Sequence, residues 1–203
     1  MLTVLIVLYV ICALLLTLYA GSAIILLLLY WRYRHQPLTI PAVTDWPTVV
    51  VQLPIYNERH VVERLLEAVA ALDYPADRFS IQLLDDSTDE TRTIAAACIA
   101  RLQTRGVNIQ HICRENRTGY KAGALAYGLT LTDAELAVVL DADFVPPVDF
   151  LRRTVPFLAA DPKLGMVQTR WGHLNPFSNL LTWGQTLALD SHFVVEQTAR
   201  SRA

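Results

Sequence analysis

The sequence predicts an α/β domain with a mostly parallel sheet, preceded by one transmembrane helix. Two observations carry this prediction. Residues 2–31 contain no charged side chain, and after them short apolar runs alternate with segments whose apolar residues recur at helical spacing. Alternating strands and helices are typical of a parallel sheet that is covered by helices on both faces.

The N-terminal apolar segment is long enough to cross a membrane. A bilayer core needs about 20 apolar residues in a helix, so a longer run implies tilt or extension into the headgroups. A signal peptide would start with basic residues and end at a small-residue cleavage site. This run instead ends in Tyr30, Trp31 and Arg32. A buried core helix is the other alternative, but it is seldom an unbroken apolar run of this length.

Aromatic residues beside Arg32 and Arg34 are typical of the cytoplasmic membrane interface. We therefore expect the N-terminus outside the cell membrane and everything after Arg32 in the cytoplasm. The three cysteines have no metal-ligand spacing, and their odd number does not suit a disulfide framework, which agrees with a reducing compartment. The net charge is −2 without a basic block, so nucleic acid is not an expected partner.

Three segments follow from these patterns. Residues 1–34 form the anchor and its basic flank, residues 35–47 form a linker, and residues 48–203 form the α/β domain. The linker contains Pro37 and two further prolines and has no periodicity. Such composition is typical of an extended connection.

The first half of the domain alternates three predicted strands with two helices. Residues 48–53 are a β-branched run that Pro54 stops, and residues 80–84 and 107–112 are similar short apolar runs. Between these strands, apolar residues recur every three or four positions, which is the spacing of one helix face. This spacing predicts helices at residues 58–72 and 89–105.

The second half continues the alternation. Residues 121–131 are rich in alanine and predict a helix, and the apolar run at 135–140 predicts the fourth strand. Residues 148–158 have helical spacing and are closed by an Asp-Pro pair. A short apolar run at 165–169 predicts a fifth strand, and a final helix is predicted at 180–198.

Acidic motifs follow three of these strands at the point where each strand ends. They are Asn-Glu at 57–58, Asp-Asp at 85–86 and Asp-Ala-Asp at 141–143. In parallel α/β sheets, ligands bind at the carboxyl ends of the strands. We therefore expect carboxylates from distant parts of the sequence to converge on one edge of the sheet.

Asp141 and Asp143 are candidate metal ligands. Two carboxylates in a turn directly after a buried strand can both point into a cleft. Their hard oxygens suit Mg²⁺ or Mn²⁺, and such a metal can bridge to a diphosphate. A solvated loop with incidental acids is the alternative, but the position at the end of a buried strand favours the metal site.

Asp85 and Asp86 can accept hydrogen bonds from a base or ribose, as acids after strands do in nucleotide-binding folds. Helix capping is the alternative, since Asp86, Ser87 and Thr88 precede a predicted helix and are all good caps. Both roles can hold, with one acid as the cap and the other facing the cleft.

The loop after the third strand is basic. Arg114, Arg117 and Lys121 bring positive charge to a helix N-terminus, and Gly119 and Gly123 allow a ligand to approach the backbone. Phosphate pairing is physically natural there. A solvated basic turn is the alternative.

Together these motifs resemble the processive, cellulose-synthase-like branch of the family 2 glycosyltransferases, which includes β-mannan synthases. The resemblance covers residues 48–200, with the blocks in family order. The matching blocks are Gln-Leu-Pro-Ile-Tyr-Asn-Glu at 52–58, Leu-Asp-Asp-Ser-Thr-Asp at 84–89, Gly-Tyr-Lys-Ala-Gly-Ala-Leu at 119–125, Asp-Ala-Asp-Phe at 141–144, Val-Gln-Thr-Arg-Trp at 167–171 and Asp-Ser-His-Phe-Val-Val-Glu-Gln at 190–197.

The resemblance implies a GT-A fold and roles for individual residues. Asp141 and Asp143 would bind the metal, with Asp143 as the direct ligand, and Asp85 or Asp86 would contact the nucleoside. The remaining implied roles are nucleotide-pocket framing by Tyr56 and Glu58, diphosphate contact by Lys121, and an acceptor border formed by Gln168, Arg170 and Trp171.

The implied activity is that of an inverting β-glycosyltransferase in the cytoplasmic membrane. It would transfer a hexose from UDP-glucose or GDP-mannose to a glycan or lipid acceptor. Members of the group carry a Thr-Glu-Asp triplet, whose Asp is the general base, then a Gln-x-x-Arg-Trp block and further membrane helices. The sequence ends at Ala203 before these, so we expect an N-terminal part of such an enzyme, with donor binding, slow hydrolysis and no polymer.

Other interpretations compete with this one. Asp190, His192 and Glu196 lie on the last predicted helix, where a structural pair is favoured over a substitute base. A non-catalytic, membrane-tethered nucleotide-sugar binding module would keep the donor site and need no base. A nucleotidyltransferase would show a Gly-rich phosphate loop after the first strand, and residues 54–58 do not form one.

Overall fold

A computed structural model describes residues 1–36 and 38–202. The chain divides into two compact units. One unit, Ile40–Val167, contains the sheet and the helices around it. The other unit combines Met1–Thr39 with the segment that begins at Gln168.

The first unit is built on four parallel strands. These are β1 (Val49–Ile55), β2 (Phe79–Asp85), β3 (Ile109–Cys113) and β4 (Leu136–Val139). They lie in the order β3-β2-β1-β4, so β1 pairs with β2 on one side and with β4 on the other. The predicted α/β class with a parallel sheet is confirmed.

Three helices lie between these strands along the chain, and a fourth follows β4. They are α2 (Val62–Ala70), α3 (Thr91–Thr104), α4 (Tyr120–Leu129) and α5 (Phe150–Ala160). Alternation along β1 divides its side chains between two faces. Val51 and Leu53 join the main apolar core, together with Leu65 of α2, Leu102 of α3 and Leu151 of α5.

The opposite face of the sheet carries a buried polar pair next to α4. Gln52 Nε2 donates a hydrogen bond to Gln82 Oε1 at 3.0 Å and lies 3.4 Å from the carbonyl oxygen of Leu125. Gly128 of α4 lies directly above this pair, since a Cβ there would be 2.6 Å from Gln52 Nε2. This close approach fixes α4, whose N-terminus lies at the edge of the sheet where the predicted ligands converge.

The second unit contains helices before and after the sheet domain. They are α1 (Leu2–Tyr33), α6 (Leu180–Asp190), a π-helical segment (Ser191–Glu196) and α7 (Gln197–Arg202). Within this unit, α1 contacts the π-helical segment and α7. Among the described residues, α1 is the one helix that is long and apolar enough to cross a membrane.

Two predicted elements are wrong in detail. Residues 165–169 are not a strand: they form no regular structure, and Met166 is exposed. A short apolar run does not supply the partner strand that a β-ladder needs, and the boundary between the two units falls inside this run. The predicted final helix is interrupted by the π-helical segment.

The predicted linker, residues 35–47, has no helix or strand at its described residues. Pro37 lies outside the described residues. The other predicted elements are present, with ends shifted by a few residues.

Candidate active site

A cavity of about 430 Å³ opens at the carboxyl ends of β1 and β4, inside the unit Ile40–Val167. The strand order reverses at this point, because β2 and β3 lie on one side of β1 and β4 lies on the other. Such reversals leave a crevice above the sheet where ligands bind. The volume falls within the range of small-molecule sites.

The acidic side of the cavity is formed by the turn after β4. Asp141 and Asp143 both line the cavity. Asp141 forms an ion pair with Lys121 across the opening. Within the described part of the chain, Asp143 makes no hydrogen bond or ion pair and its side chain is exposed. An unpaired carboxylate beside a second acid is a donor set that fits a hard divalent cation.

The basic side of the cavity is formed by Arg117 and Lys121. The Arg117 guanidinium carbon lies 3.3 Å from the centre of the Tyr56 ring and 5.2 Å from that of Tyr120. Stacked on Tyr56, this cation is held at the cavity wall. The cavity therefore has carboxylates on one wall and cations on another.

A buried ion pair holds the basic loop. Arg114 Nε donates to Asp86 Oδ1 at 3.0 Å, and its Nη2 donates to the other oxygen, so the contact is bidentate. The two side chains are only 11% and 7% exposed. Arg114 also donates to the carbonyl oxygens of Thr118 and Tyr120, at 3.0 and 3.1 Å. The hydrogen bonds to Asp86 raise the pKa of Arg114, and this arginine connects the loops after β2 and β3.

Two glycines let this loop close onto α4. Gly119 has a φ of +73°, which a side chain would strain. A Cβ on Gly123 would lie 2.0 Å from the carbonyl oxygen of Thr118. The close packing of the loop on the first turn of α4 therefore depends on both glycines, and it places Lys121 at the cavity.

Asp85 lies beneath the cavity and does not line it. Its side chain is fully buried, with Oδ1 accepting from the amide of Ser87 at 2.8 Å and Oδ2 lying 2.8 Å from His111 Nε2. Burial opposes ionisation of Asp85, but the hydrogen bonds from His111 and Ser87 outweigh it and lower the pKa. Cys113 brings its sulfur within 4.8 Å of both. Since this carboxylate is already engaged, Asp143 is the better candidate ligand.

The loops after β1 and β2 are joined through Asn57, which has a left-handed φ of 58°. Its amide donates to Ser87 Oγ at 2.9 Å, and its side-chain oxygen accepts from the amide of Thr88 at 2.9 Å. Asparagine tolerates this conformation better than most residues. The tie fixes the neighbouring residues Tyr56 and Glu58, which both line the cavity.

The predicted site residues fall into two groups. Tyr56, Glu58, Asp86, Lys121, Asp141 and Asp143 line the cavity, and Asp85 lies behind it. Gln168, Arg170 and Trp171 belong to the other unit, where the ring of Trp171 lies 5.2 Å from that of Phe193. Their predicted acceptor role stays a prediction.

The polar groups near the C-terminal helices pair with one another. His173 Nε2 lies 3.1 Å from Asp190 Oδ1, and His192 Nδ1 lies 3.2 Å from Glu196 Oε2. Glu196 also lies 3.5 Å from Arg200. These contacts give Asp190 and Glu196 structural partners.

The sequence did not predict separate roles for Arg114 and Arg117. Arg117 and Arg114 were both predicted to belong to a basic loop, but one lines the cavity on Tyr56 and the other binds Asp86. Their charge and their nearness to Gly119 were the available signal. Nothing in the spacing of the two arginines distinguishes these roles.

Comparison with known proteins identifies the family of this chain. Residues 50–181 match the family described as glycosyl transferase family 2, and the chain belongs to this family. It is 42% identical over 196 residues to glucomannan 4-beta-mannosyltransferase 2 of Arabidopsis thaliana, a match that covers 90% of this chain and 36% of the relative. It is 44% identical over 161 residues to glucomannan 4-beta-mannosyltransferase 1 of Cyamopsis tetragonoloba, covering 77% of this chain and 30% of the relative. The resemblance to the cellulose-synthase-like glycosyltransferases is confirmed.

A solved structure is also similar. The mannosyltransferase from Pyrobaculum calidifontis in complex with GDP-Man and Mn²⁺ superimposes with a TM-score of 0.60 and 30% identity. The match covers 78% of this chain and 47% of that one. This likeness confirms the GT-A-like fold. The chain spans about a third of the length of the curated relatives that it matches.

Proposed function

We propose that this chain carries the donor site of a membrane-anchored, inverting β-glycosyltransferase that uses a nucleoside diphosphate sugar. The observation that carries the proposal is the convergence of Asp141, Asp143, Lys121 and Arg117 on one cavity. Carboxylates on one wall suit a divalent cation, and cations on another wall suit a diphosphate. A cavity of about 430 Å³ suits the reactive part of such a donor.

Asp143, with Asp141 beside it, would hold Mg²⁺ or Mn²⁺. A bound metal would neutralise charge on the diphosphate as it leaves. The Mn²⁺ in the Pyrobaculum mannosyltransferase complex supports this assignment. Lys121 adds a second positive charge, and its ion pair with Asp141 keeps the ammonium group at the cavity before the donor arrives.

The nucleoside end of the donor would lie near Tyr56, Glu58 and Asp86. Tyr56 offers a ring face, and Glu58 and Asp86 offer hydrogen-bond acceptors at the cavity wall. Asp85 would act from beneath by holding Ser87 and His111 in place. GDP-mannose is the donor that the named relatives support best, and UDP-glucose is the alternative.

Inversion requires the acceptor hydroxyl to attack the anomeric carbon from the face opposite the diphosphate. A general base near that hydroxyl contributes typically about 10²–10⁴-fold. The acceptor would be a glycan or a lipid, and we propose that Gln168, Arg170 and Trp171 border it. The membrane anchor is α1, with the cytoplasmic side marked by Arg32 and Arg34.

Donor turnover tests this proposal. The full chain, reconstituted in nanodiscs with Mn²⁺, should release mannose from GDP-mannose faster than a protein-free control. Asp143→Ala should remove this activity, and Asp45→Ala is the matched control, because Asp45 is exposed and does not line the cavity. Donor binding without any turnover would instead favour a non-catalytic binding module. Equal turnover in both variants would overturn the proposed site.

A further inference from the structure

Three side chains that can bind a metal ion through different atoms lie together outside the cavity. They are Asp85, His111 and Cys113, and their ligand atoms all lie within 4.8 Å of one another. None of the three lines the cavity. An oxygen, a nitrogen and a sulfur ligand are therefore gathered at a second place in the sheet domain.

The sheet itself brings these residues to one face. Asp85 and Cys113 are direct partners in the parallel ladder between β2 and β3. His111 lies two residues before Cys113 on β3, and residues two apart on a strand point to the same face of a sheet. All three belong to strands, so their arrangement does not depend on the conformation of a loop.

The surroundings of Asp85 leave room for a cation. Its carboxylate is fully buried, and among the described residues it forms an ion pair with no lysine or arginine. Buried charges in proteins are normally paired or bound to a metal. Here Oδ2 of Asp85 lies 2.8 Å from Nε2 of His111. A metal ion can take the place of the proton between these two atoms.

We propose that Asp85, His111 and Cys113 bind Zn²⁺. Carboxylate, imidazole and thiolate are the ligands that zinc takes in proteins, at bond lengths that place neighbouring ligand atoms roughly 3.3–3.6 Å apart. From the present positions, the contact between Asp85 and His111 would open by about 0.5 Å, and the sulfur would move inward by roughly 1 Å. Cys113 is exposed, so water can complete the coordination.

This site differs in chemistry from the proposed donor-metal site. Asp141 and Asp143 offer only oxygen, which suits Mg²⁺ or Mn²⁺, whereas a thiolate selects Zn²⁺ over these ions. Oδ1 of Asp85 also accepts from the amide of Ser87, whose hydroxyl oxygen accepts from the amide of Asn57. A cation on Asp85 would therefore also hold the loops that follow β1 and β2. The inference does not depend on the proposed function, because zinc binding here needs no donor.

Cobalt binding to the full chain in nanodiscs tests the inference. Co²⁺ accepts tetrahedral sites that suit Zn²⁺, and a thiolate bound to Co²⁺ gives a charge-transfer absorption band that oxygen ligands do not give. Co²⁺ should produce this band, and Zn²⁺ should remove it. Cys113→Ser should abolish the band, whereas the matched controls Cys12→Ser and Cys98→Ala should keep it. Asp143→Ala should also keep it, because the donor-metal site is separate.

Two further variants test the ligand set. His111→Gln should weaken Co²⁺ binding by at least about tenfold, because it removes a ligand. Arg92 is exposed on α3 and its positive charge acts on the Cys113 thiol, so Arg92→Gln should tighten binding. Absence of the thiolate band, or a band that persists in Cys113→Ser, would overturn the inference. Equally strong binding in His111→Gln would also overturn it, because a single cysteine would then account for the band.

X-ray absorption by the zinc-loaded wild-type chain does not depend on the folding of any variant. It should show one sulfur ligand, with nitrogen or oxygen at the other positions, and the outer-shell scattering of an imidazole ring. Two sulfur ligands would place the zinc between two chains and would overturn the site. The absence of imidazole scattering would overturn it as well.

Discussion

Replacing Arg114 by alanine should destabilise the domain far more than replacing an exposed arginine. Arg114 makes two hydrogen bonds to Asp86 and one each to the carbonyl oxygens of Thr118 and Tyr120. Removing one partner of a buried ion pair costs about 3–5 kcal/mol, because the other charge stays buried. Asp86 lines the cavity and can recover some hydration, so we expect the lower end, about 3 kcal/mol. Urea unfolding of the chain in detergent micelles, followed by tryptophan fluorescence, measures this loss.

Arg105→Ala is the matched control, because Arg105 pairs with Glu67 on an exposed surface. Exposed pairs contribute about 0–1 kcal/mol. Arg114→Lys should fall between the two, since lysine keeps the charge and loses the bidentate contact. In a double-mutant cycle, Asp86→Asn should remove most of the effect of Arg114→Ala. If Arg114→Ala cost no more than Arg105→Ala, the assigned role of this pair would be wrong.

Three further predictions address the support of the site and its compartment. Asp85→Asn should lower the free energy of unfolding by about 1–3 kcal/mol at pH 7. Because the pKa of Asp85 is lowered in the folded state, the stabilisation by its carboxylate is present above about pH 4 and is lost as the pH falls below that value. A difference in urea unfolding that did not change with pH would contradict this. Gly123→Ala should lower the free energy of unfolding by about 1–3 kcal/mol, because the added methyl group crowds Thr118. Gly165→Ala is the control: Gly165 has open space around it, so the change should stay within about 0.5 kcal/mol. Equal unfolding midpoints for the two variants would refute the close packing at Gly123. Reporter fusions after residue 40 should be active on the cytoplasmic side, and activity restricted to the outer face would reverse the orientation.

Much of the fold follows from local sequence patterns. β1 and β2 are mostly β-branched or apolar runs; β1 ends at Ile55, shortly before Asn57, and β2 ends at Asp85. α2 shows its buried face through apolar residues at helical spacing. The run at 165–169 has similar local content, but it pairs with no strand among the described residues. Pairing is a long-range property, so residue type alone did not distinguish this run from a strand.

The site was predictable as a set of residues but not as a set of contacts. The strand-end position of Asp141 and Asp143 placed them at the cavity, because the carboxyl ends of parallel strands share an edge. The sequence did not predict that Asp85 is buried while Asp86 lines the cavity. Asp85 is engaged by His111, which lies on β3, and Asp86 is engaged by Arg114, which follows β3. Likewise, the π-helical segment that interrupts the last helix contacts α1, and local residue spacing does not show this contact.

Calorimetry of GDP-mannose binding to the full chain tests the central claim most directly. In Mn²⁺ the chain should bind the donor, and EDTA should remove this binding. Asp143→Ala should lose binding in Mn²⁺, because it removes the cavity carboxylate beside Asp141 that is not engaged by a cation among the described residues. Asp45→Ala should bind like the wild type. Unchanged, EDTA-insensitive binding in Asp143→Ala would contradict a metal-dependent donor site at this edge of the sheet.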